Sequence, residues 1–236
     1  MLKNRKFLIV TVVLAALPVM IFAQTRPGVT SSNEMSVEQS YLQESVELMI
    51  IREQARTDSR DMKFVALEYI GDAIERGNKS DEIRATLEYL SLEGVLNVAR
   101  ENGRVVNNFP DVRKEAASYL GKLGTPEAKN TLLKMVIVDN EPMVLTEAIR
   151  SLGTIGLNEA DEVTKVIAWT VSRFNTLNPD NFMALSAIDA FEKIAEANGG
   201  LRDRSAMEVL VKIADGPYIT PVKEKAKAAL SELRGF

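Results

Sequence analysis

Paired carboxylates are the residues of this sequence that come closest to a catalytic arrangement. Asp81 and Glu82 are adjacent, and so are Asp161 and Glu162. General acid–base catalysis needs two such groups in one cleft, with their pKa values pushed apart. Each pair instead stands at the start of a predicted helix, where acidic side chains are favoured by the positive end of the helix dipole. We therefore predict a structural role for both pairs.

The composition removes most other catalytic chemistry. The 236 residues include no cysteine and no histidine. Thiolate nucleophiles, disulfides and cysteine-ligated metals are thereby excluded, as are Ser–His–Asp catalysis and histidine-ligated zinc. The sequence also has neither a phosphate-binding loop nor an EF-hand calcium loop. We predict that the protein is not an enzyme and that it binds no cofactor and no metal.

The strongest candidate for molecular recognition is Trp169, the single tryptophan of the chain. At about 100° per residue, Trp169 lies on the side of its predicted helix opposite the apolar stripe. Its neighbours on that side are charged or polar, and tryptophan and arginine are favoured anchors of protein interfaces. The predicted partner-binding residues are Trp169, Lys165, Arg173 and Glu162.

The helices that position these residues belong to units marked by a repeated sequence pattern, which we call the phrase. An apolar residue is followed by alanine at +4 and by apolar residues at +8 and +11, and these offsets fall on one helical face. The small alanine lets two helices approach closely, and glycine stands at +9 in the first three copies. The phrase starts at Met62, Val112, Val144, Met183 and Val222.

A second helix follows each of the first four copies, after a turn that contains glycine. These second helices are predicted over about 81–99, from 126, over 159–175 and over 202–214. The longest interval between copies holds an inserted loop, "RENGRVVNNFP", at 100–110. One helix–turn–helix unit cannot bury its apolar face alone, so the repetition predicts an all-α solenoid of stacked units.

The stretch 111–144, "DVRKEAASYLGKLGTPEAKNTLLKMVIVDNEPMV", resembles HEAT repeats, especially the short form found in phycobilisome-lyase-like proteins. The residues that carry the resemblance are Val112, Arg113, Ala116, Ala117, Leu120, Gly121, Gly124 and Pro126. The resemblance extends over about residues 58–236. It implies an α–α superhelix that binds other macromolecules. It implies no lyase activity, because no catalytic residue of that family is present to carry over.

Two interpretations of Trp169 follow from the repeats. Ile137 and Val209 come at nearly the same distance after the start of their own copies as Trp169 does. This row of apolar residues either packs between successive units or lines the second-helix surface that binds partners. We predict packing for Ile137 and Val209, and both interpretations stay open for Trp169.

The ends of the predicted array differ. The last phrase has no second helix after it, and a polar outer face is what a terminal cap needs. That face carries Lys223, Lys225, Lys227, Glu232 and Arg234. The segment before the first phrase is predicted to be the first stacked helix, with one stripe formed by Leu42, Val46, Met49 and Ile50.

The N-terminus indicates export. Basic residues precede an apolar run that ends at Ala23, which is the pattern of a secretory signal peptide, residues 1–23. The polar residues 24–35 are predicted to be a flexible linker, and 36–236 the solenoid. Because Ile21 is bulky for a cleavage site, an uncleaved membrane anchor is the alternative to cleavage after Ala23.

Charge and composition favour a protein as the partner. Removal of residues 1–23 takes three of the 29 basic residues, leaving 26 against 33 acidic ones, a net charge of −7. A nucleic-acid binder usually carries a basic patch, and none is visible. We predict no nucleic acid and no membrane contact beyond the N-terminal segment.

The predicted function is therefore an exported, non-enzymatic scaffold that binds a protein in the bacterial periplasm or cell envelope, or after secretion. One alternative is a structural subunit or assembly factor of an envelope machine, held by an uncleaved N-terminal helix. Another is an enzyme that uses carboxylates alone, which a deep pocket with paired acids would indicate.

Overall fold

A computed structural model describes residues 37–177 and 179–234 of the chain. The predicted signal peptide and linker lie outside these residues. The helices are α1 (Val37–Ala55), α2 (Arg60–Glu75), α3 (Asp81–Leu92), α4 (Pro110–Leu123), α5 (Pro126–Val138), α6 (Pro142–Ile155), α7 (Glu162–Leu177), α8 (Asn181–Asn198), α9 (Ser205–Asp215) and α10 (Thr220–Leu233). A hairpin of β1 (Arg100–Glu101) and β2 (Arg104–Val105) lies between α3 and α4.

The helices form two layers in which each member packs on the next. The phrase predicted from the sequence makes one layer, α2, α4, α6, α8 and α10, in that order. The other layer is α1, α3, α5, α7 and α9, and each of its helices also packs on the first layer. Contacts between neighbouring units throughout are the defining property of a solenoid, so the predicted all-α fold is confirmed.

The alanines at +4 lie in the seam between the layers. Ala66, Ala116, Ala148, Ala187 and Ala226 are all fully buried. These small side chains lie where a first helix meets its neighbours, as the sequence predicts.

The first phrase departs from this pattern at its opening residue. Val112, Val144 and their later counterparts are buried, whereas Met62 is 45% exposed. Lys63, the next residue, is fully buried. Its ammonium forms an ion pair with Glu93 and donates a hydrogen bond to the carbonyl oxygen of Ala55. The inward position at the start of α2 is therefore taken by a charged residue.

The glycines at +9 allow successive first helices to touch. A Cβ added to Gly121 would lie 2.7 Å from the Ser151 hydroxyl, and one added to Gly153 would lie 2.6 Å from the Cα of Ala190. Real Cβ atoms do not approach so closely. The recurrence of glycine in the phrase thus follows from the spacing between α4, α6 and α8.

The turns between first and second helices follow the predicted chemistry. Gly124 and Gly156 end α4 and α6 in the left-handed conformation, which glycine adopts without a steric penalty. The Thr125 hydroxyl then caps α5 by accepting a hydrogen bond from the amide of Ala128.

The third unit has an additional turn before its second helix. Residues Glu159–Asp161 form one 3-10 turn, and Ala160 has a φ of +51°. A non-glycine residue rarely adopts this conformation. The second helix of this unit therefore begins at Glu162, three residues later than predicted.

The insertion between the first two units is longer than predicted. The second helix expected over 81–99 ends at Leu92, so the irregular segment covers 93–109. The all-α pattern of the sequence predicts no strand, yet a short hairpin forms around Asn102 and Gly103. Both residues have positive φ, as a two-residue hairpin turn of the Asn-Gly type requires.

A buried charge network attaches this insertion to the helices. The Lys63 ammonium lies 2.9 Å from a carboxylate oxygen of Glu93, and the Arg113 guanidinium lies 2.7 Å from Asp139. Arg113 also donates a hydrogen bond to the backbone carbonyl of Glu93. All four side chains are almost completely buried, so the two ion pairs join α2, the insertion, α4 and the end of α5.

The N-terminal helix α1 packs on α2 and α3, but not through the predicted stripe. Leu42, Val46 and Met49 are exposed and Ile50 is half-buried, whereas Ile51 and Ala55 are buried. The predicted stripe is therefore wrong for its first three residues, because the packed side of α1 is rotated toward Ile51.

At the other end, α10 is the last described helix. On its predicted polar face, Lys227 and Glu232 are exposed, as is Arg234 directly after the helix, whereas Lys223 and Lys225 are half-buried.

None of the helices in the described ranges is long and apolar enough to cross a membrane. The apolar run at 7–23 lies outside those ranges.

Candidate partner-binding surface

Trp169 lies in the middle of α7, on the outward side of the second-helix layer. Val163, Ile167 and Val171 bury the opposite side of α7 in the core. Trp169 itself is 50% exposed. The predicted orientation of the indole, away from the apolar stripe, agrees with the structure.

Arg173 holds the indole in place. Its guanidinium carbon lies 4.8 Å from the centre of the Trp169 ring and 5.0 Å from the centre of the Phe174 ring. The same guanidinium donates a hydrogen bond to the backbone carbonyl of Asp139 at 3.4 Å. A cation over an aromatic face is attractive, so Arg173 stabilises the ring in this orientation.

Lys165 and Glu162 have different surroundings, although both are neighbours of Trp169 on α7. The Lys165 ammonium is exposed and donates to the carbonyl of Ala160 at 3.2 Å. The Glu162 carboxylate lies 2.6 Å from the ammonium of Lys129, which is buried on α5. Glu162 therefore joins α7 to α5, and its role in partner binding stays a prediction.

The predicted packing of Ile137 and Val209 has opposite outcomes. Val209 is 2% exposed, so its predicted burial is confirmed, whereas Ile137 is 50% exposed and the prediction is wrong there. Ile137 lies on the side of α5 away from the buried Leu132 and Met135, whereas Val209 shares the buried side of α9 with Ala206 and Ile213. The additional 3-10 turn at Glu159–Asp161 shifts α7 relative to the start of its phrase as well. Equal distances from the phrase start are therefore not equal positions on the second helices.

A different row appears when each second helix is counted from its first buried residue. Those residues are Ile83, Ala128, Val163 and Ala206 in α3, α5, α7 and α9. The residue six positions later is Tyr89, Lys134, Trp169 or Lys212, respectively. We name these four residues the cross-helix row, because α3, α5, α7 and α9 lie side by side in that order.

The lysines of the row are available for binding. Lys134 and Lys212 are exposed, and neither makes an ion pair or hydrogen bond with any residue that the structure describes. Tyr89 is half-buried in a groove of about 450 Å³ between α1 and α3. Burial and the nearby charge of Glu93 raise the pKa of the Tyr89 hydroxyl.

Residues 104–169 match the family model of HEAT repeats. The match runs from β2 through α4, α5 and α6 to Trp169, so it includes the strongest copies of the phrase. It supports the resemblance to HEAT repeats and does not single out the phycobilisome-lyase-like form. No curated protein matches the chain.

HEAT repeats are generally non-catalytic scaffolds, and the carboxylate pairs fit that role. Asp81 and Glu82 begin α3, while Asp161 and Glu162 stand at the start of α7, where the helix dipole favours them. Among the described residues, no group of three or more carboxylates could hold a metal ion.

A second apolar surface lies at the starts of the first helices α6 and α8. Phe182 is 74% exposed at the start of α8, and Met143 is exposed at the start of α6. Both line a groove of about 470 Å³ together with Lys114 and Arg150. Sequence analysis missed this surface, although an apolar residue directly before the phrase was the available signal.

Proposed function

We propose that the protein is an exported, non-enzymatic HEAT-repeat scaffold that binds a protein partner through the outward surface of α5, α7 and α9. The observation that carries this proposal is Trp169, half exposed and held in one orientation by Arg173. An isolated exposed indole would need no explanation. An indole fixed by an arginine that is itself bonded to Asp139 is a preorganised contact.

Preorganisation favours binding because it lowers the entropy lost when a partner immobilises a side chain. Trp169 and Arg173 are also of the two residue types most enriched among the residues that dominate binding energy. The Lys129–Glu162 ion pair between α5 and α7 holds the supporting helices together.

The N-terminal sequence supports export to the bacterial periplasm or envelope, or secretion, with cleavage after Ala23. The second candidate is a subunit or assembly factor of an envelope machine, held by an uncleaved N-terminal helix. The bulky Ile21 favours it. Mass spectrometry of the protein from its own cell distinguishes them. A chain that begins at Gln24 supports the first, and one that retains the apolar run supports the second.

The Trp169→Ala variant tests the binding surface. About half of a side chain that can bury 150–250 Å² is covered, at roughly 25 cal/mol per Å². We therefore expect a loss of about 1–3 kcal/mol in the free energy of unfolding, measured by urea denaturation, because the unfolded chain already buries part of this area. In the same variant, the free energy of partner binding should weaken by about 2 kcal/mol or more.

The matched control is Phe182→Ala, which removes an exposed aromatic ring from the other surface. Photo-crosslinkers placed at Lys134 and at Lys193 locate the partner without removing any contact of Trp169. Crosslinks from position 134 and reduced binding of Trp169→Ala support the proposal. Crosslinks from position 193 alone, or binding lost in Phe182→Ala and kept in Trp169→Ala, would refute it.

A further inference from the structure

We propose that the partner segment is an extended acidic stretch of polypeptide that crosses α5, α7 and α9 along the cross-helix row. In this arrangement Lys134 and Lys212 bind its carboxylates, and Trp169 contacts an apolar or flat group between them. The inference rests on the proposed function, because it specifies the chemistry that the same surface recognises.

The charges of the row carry the first step. Lys134 and Lys212 flank Trp169 on the two neighbouring helices, and both are exposed without a partner among the described residues. Lys165 adds a third exposed ammonium one turn before Trp169. Lys165 interacts with the Asp203 carboxylate. Lys134 and Lys212, by contrast, do not pair with a carboxylate among the described residues. The chain as a whole has a net charge of −4, so two unpaired lysines on either side of the single tryptophan are a local excess of positive charge. Complementary charge selects a partner and speeds its association.

The carboxylates on α5, α7 and α9 cancel the positive charge of these lysines only in part. Glu162 is neutralised by Lys129. Glu208 is exposed on α9, four residues before Lys212, and it stands in the register of Lys165 rather than in the cross-helix row. Glu127 and Asp215 lie at helix ends. The row itself carries no carboxylate.

The spacing of the helices sets the spacing in the partner. Packed helices lie about 8–10 Å apart, so α5 and α9 are separated by about 16–20 Å. An extended chain rises about 3.3 Å per residue and directs every second side chain to the same side. Acidic residues about six positions apart would therefore reach Lys134 and Lys212 from one side, and the second and fourth residues after the first acidic one, which face the same side, would lie near Trp169.

A polypeptide fits this surface better than a nucleic acid. A nucleic acid carries a phosphate charge every few ångströms and needs a continuous basic track, with strong dependence on salt. The row offers two lysines about 16–20 Å apart, and Glu208 and Asp215 would repel additional phosphates. Two widely spaced lysines on either side of one aromatic ring are therefore suited to a polypeptide that carries few charges.

The test uses the fluorescence of Trp169, which is the only tryptophan and therefore reports on the row directly. The probe is a synthetic peptide of about twelve residues, with two glutamates about six positions apart and leucines at the second and fourth positions after the first glutamate, on the same side of the extended chain. Its counterpart has lysine at both glutamate positions. We expect saturable change in emission with the acidic peptide, none with the basic one, and weaker binding as NaCl rises from about 50 to about 500 mM.

Charge-reversal variants identify the contacts. Lys134→Glu and Lys212→Glu should each weaken binding of the acidic peptide by about threefold to tenfold, as expected for exposed charge pairs. Lys193→Glu is the matched control, because Lys193 is an exposed lysine on α8 in the other layer. The Lys193→Glu variant should bind the acidic peptide with the same affinity as the parent protein.

The outcomes separate this inference from the proposed function. Equal binding of a single-stranded thymidine oligonucleotide would show a general site for polyanions and would overturn the acidic-polypeptide proposal. That proposal is also overturned if the acidic peptide fails to bind while the natural partner still crosslinks to position 134. In that case the proposed function stands. Crosslinks confined to the other layer would remove the proposed function itself.

Discussion

The substitution Gly153→Ala adds a single methyl group where α6 and α8 are in contact. The new Cβ would lie 2.6 Å from the Cα and 2.8 Å from the Cβ of Ala190. Neither atom can rotate away, because both are fixed to the backbone of α8. The two helices must therefore separate by several tenths of an ångström or more, and the packing on both sides must adjust.

Two opposing free energies decide the result. Overpacking in a close-packed core typically costs about 1–3 kcal/mol. Replacing glycine by alanine inside a helix returns up to about 1 kcal/mol, because alanine is the better helix former. We expect Gly153→Ala to lose about 1–2 kcal/mol of unfolding free energy. For a chain of this length, that corresponds to a fall in Tm of roughly 2–8 °C.

Gly71→Ala is the matched control, because Gly71 stands at the same position of the phrase in α2. Its added Cβ would also meet an atom at 2.6 Å, but that atom is the hydroxyl oxygen of Tyr119. The Tyr119 side chain is only half-buried and can swing aside. The helix propensity should then dominate, and we expect no loss of stability, or a gain of up to about 1 kcal/mol.

Urea and thermal denaturation of both variants beside the parent measure the difference. The decisive quantity is the order of stabilities, since both variants gain the same intrinsic helix propensity. If Gly153→Ala is at least as stable as the parent, or if Gly71→Ala is the less stable of the two, then close helix contact does not explain the glycine at +9.

Two further perturbations test the core and a surface ion pair. Ala148 is fully buried at +4 of the third copy of the phrase, so Ala148→Leu should cost about 1–3 kcal/mol by overpacking; an unchanged Tm would show that the site tolerates a larger side chain. Partial burial acts to raise the pKa of Asp111, but hydrogen bonds from Arg60 and from the Val112 amide outweigh it and lower that pKa below its ordinary value. A depressed folded-state pKa stabilises the fold above the unfolded-state value and loses this effect as pH falls through the folded-state value. Asp111→Asn should therefore be less stable than the parent at pH 7, by no more than about 1 kcal/mol, and the difference should vanish at acid pH; a difference that is independent of pH would contradict this reasoning.

The first-helix layer was predictable because its pattern is local. The +4 alanines and the +9 glycines report how closely two helices approach, and that requirement recurs in each unit. Gly124 and Thr125 likewise mark the end of one helix and the start of the next by their own conformational preferences. Nothing from a distant part of the chain is needed to interpret these residues.

The buried charges were not predictable for the opposite reason. Lys63 and Glu93 are 30 residues apart, and Arg113 and Asp139 are 26 apart. A lysine or glutamate in a sequence is normally solvated, and only the folded chain brings it a partner that compensates burial. Arg113 is one of the residues that carry the resemblance to HEAT repeats, but the sequence alone assigns it no physical role.

The outward position of Trp169 at the centre of the candidate site was predictable, whereas the lysines on either side of it were not. The helical period correctly directed Trp169 outward, because that inference depends on one helix. Lys134 and Lys212 depend on the register between helices, which the positive φ of Ala160 and the turn around it alter. An irregular turn of three residues is enough to make Ile137 the wrong counterpart of Trp169.

The buried charge network has a consequence for how this chain can change its length. Loops on the surface of a repeat protein are usually tolerant of deletion. Here the segment 93–109 supplies the carboxylate of Lys63 and a carbonyl acceptor of Arg113. Shortening it to the two- or three-residue connections found elsewhere in the array would leave a buried ammonium without its counter-ion. Losing the insertion would therefore require a different residue at position 63, whereas Arg113 would lose an acceptor but keep its ion pair with Asp139.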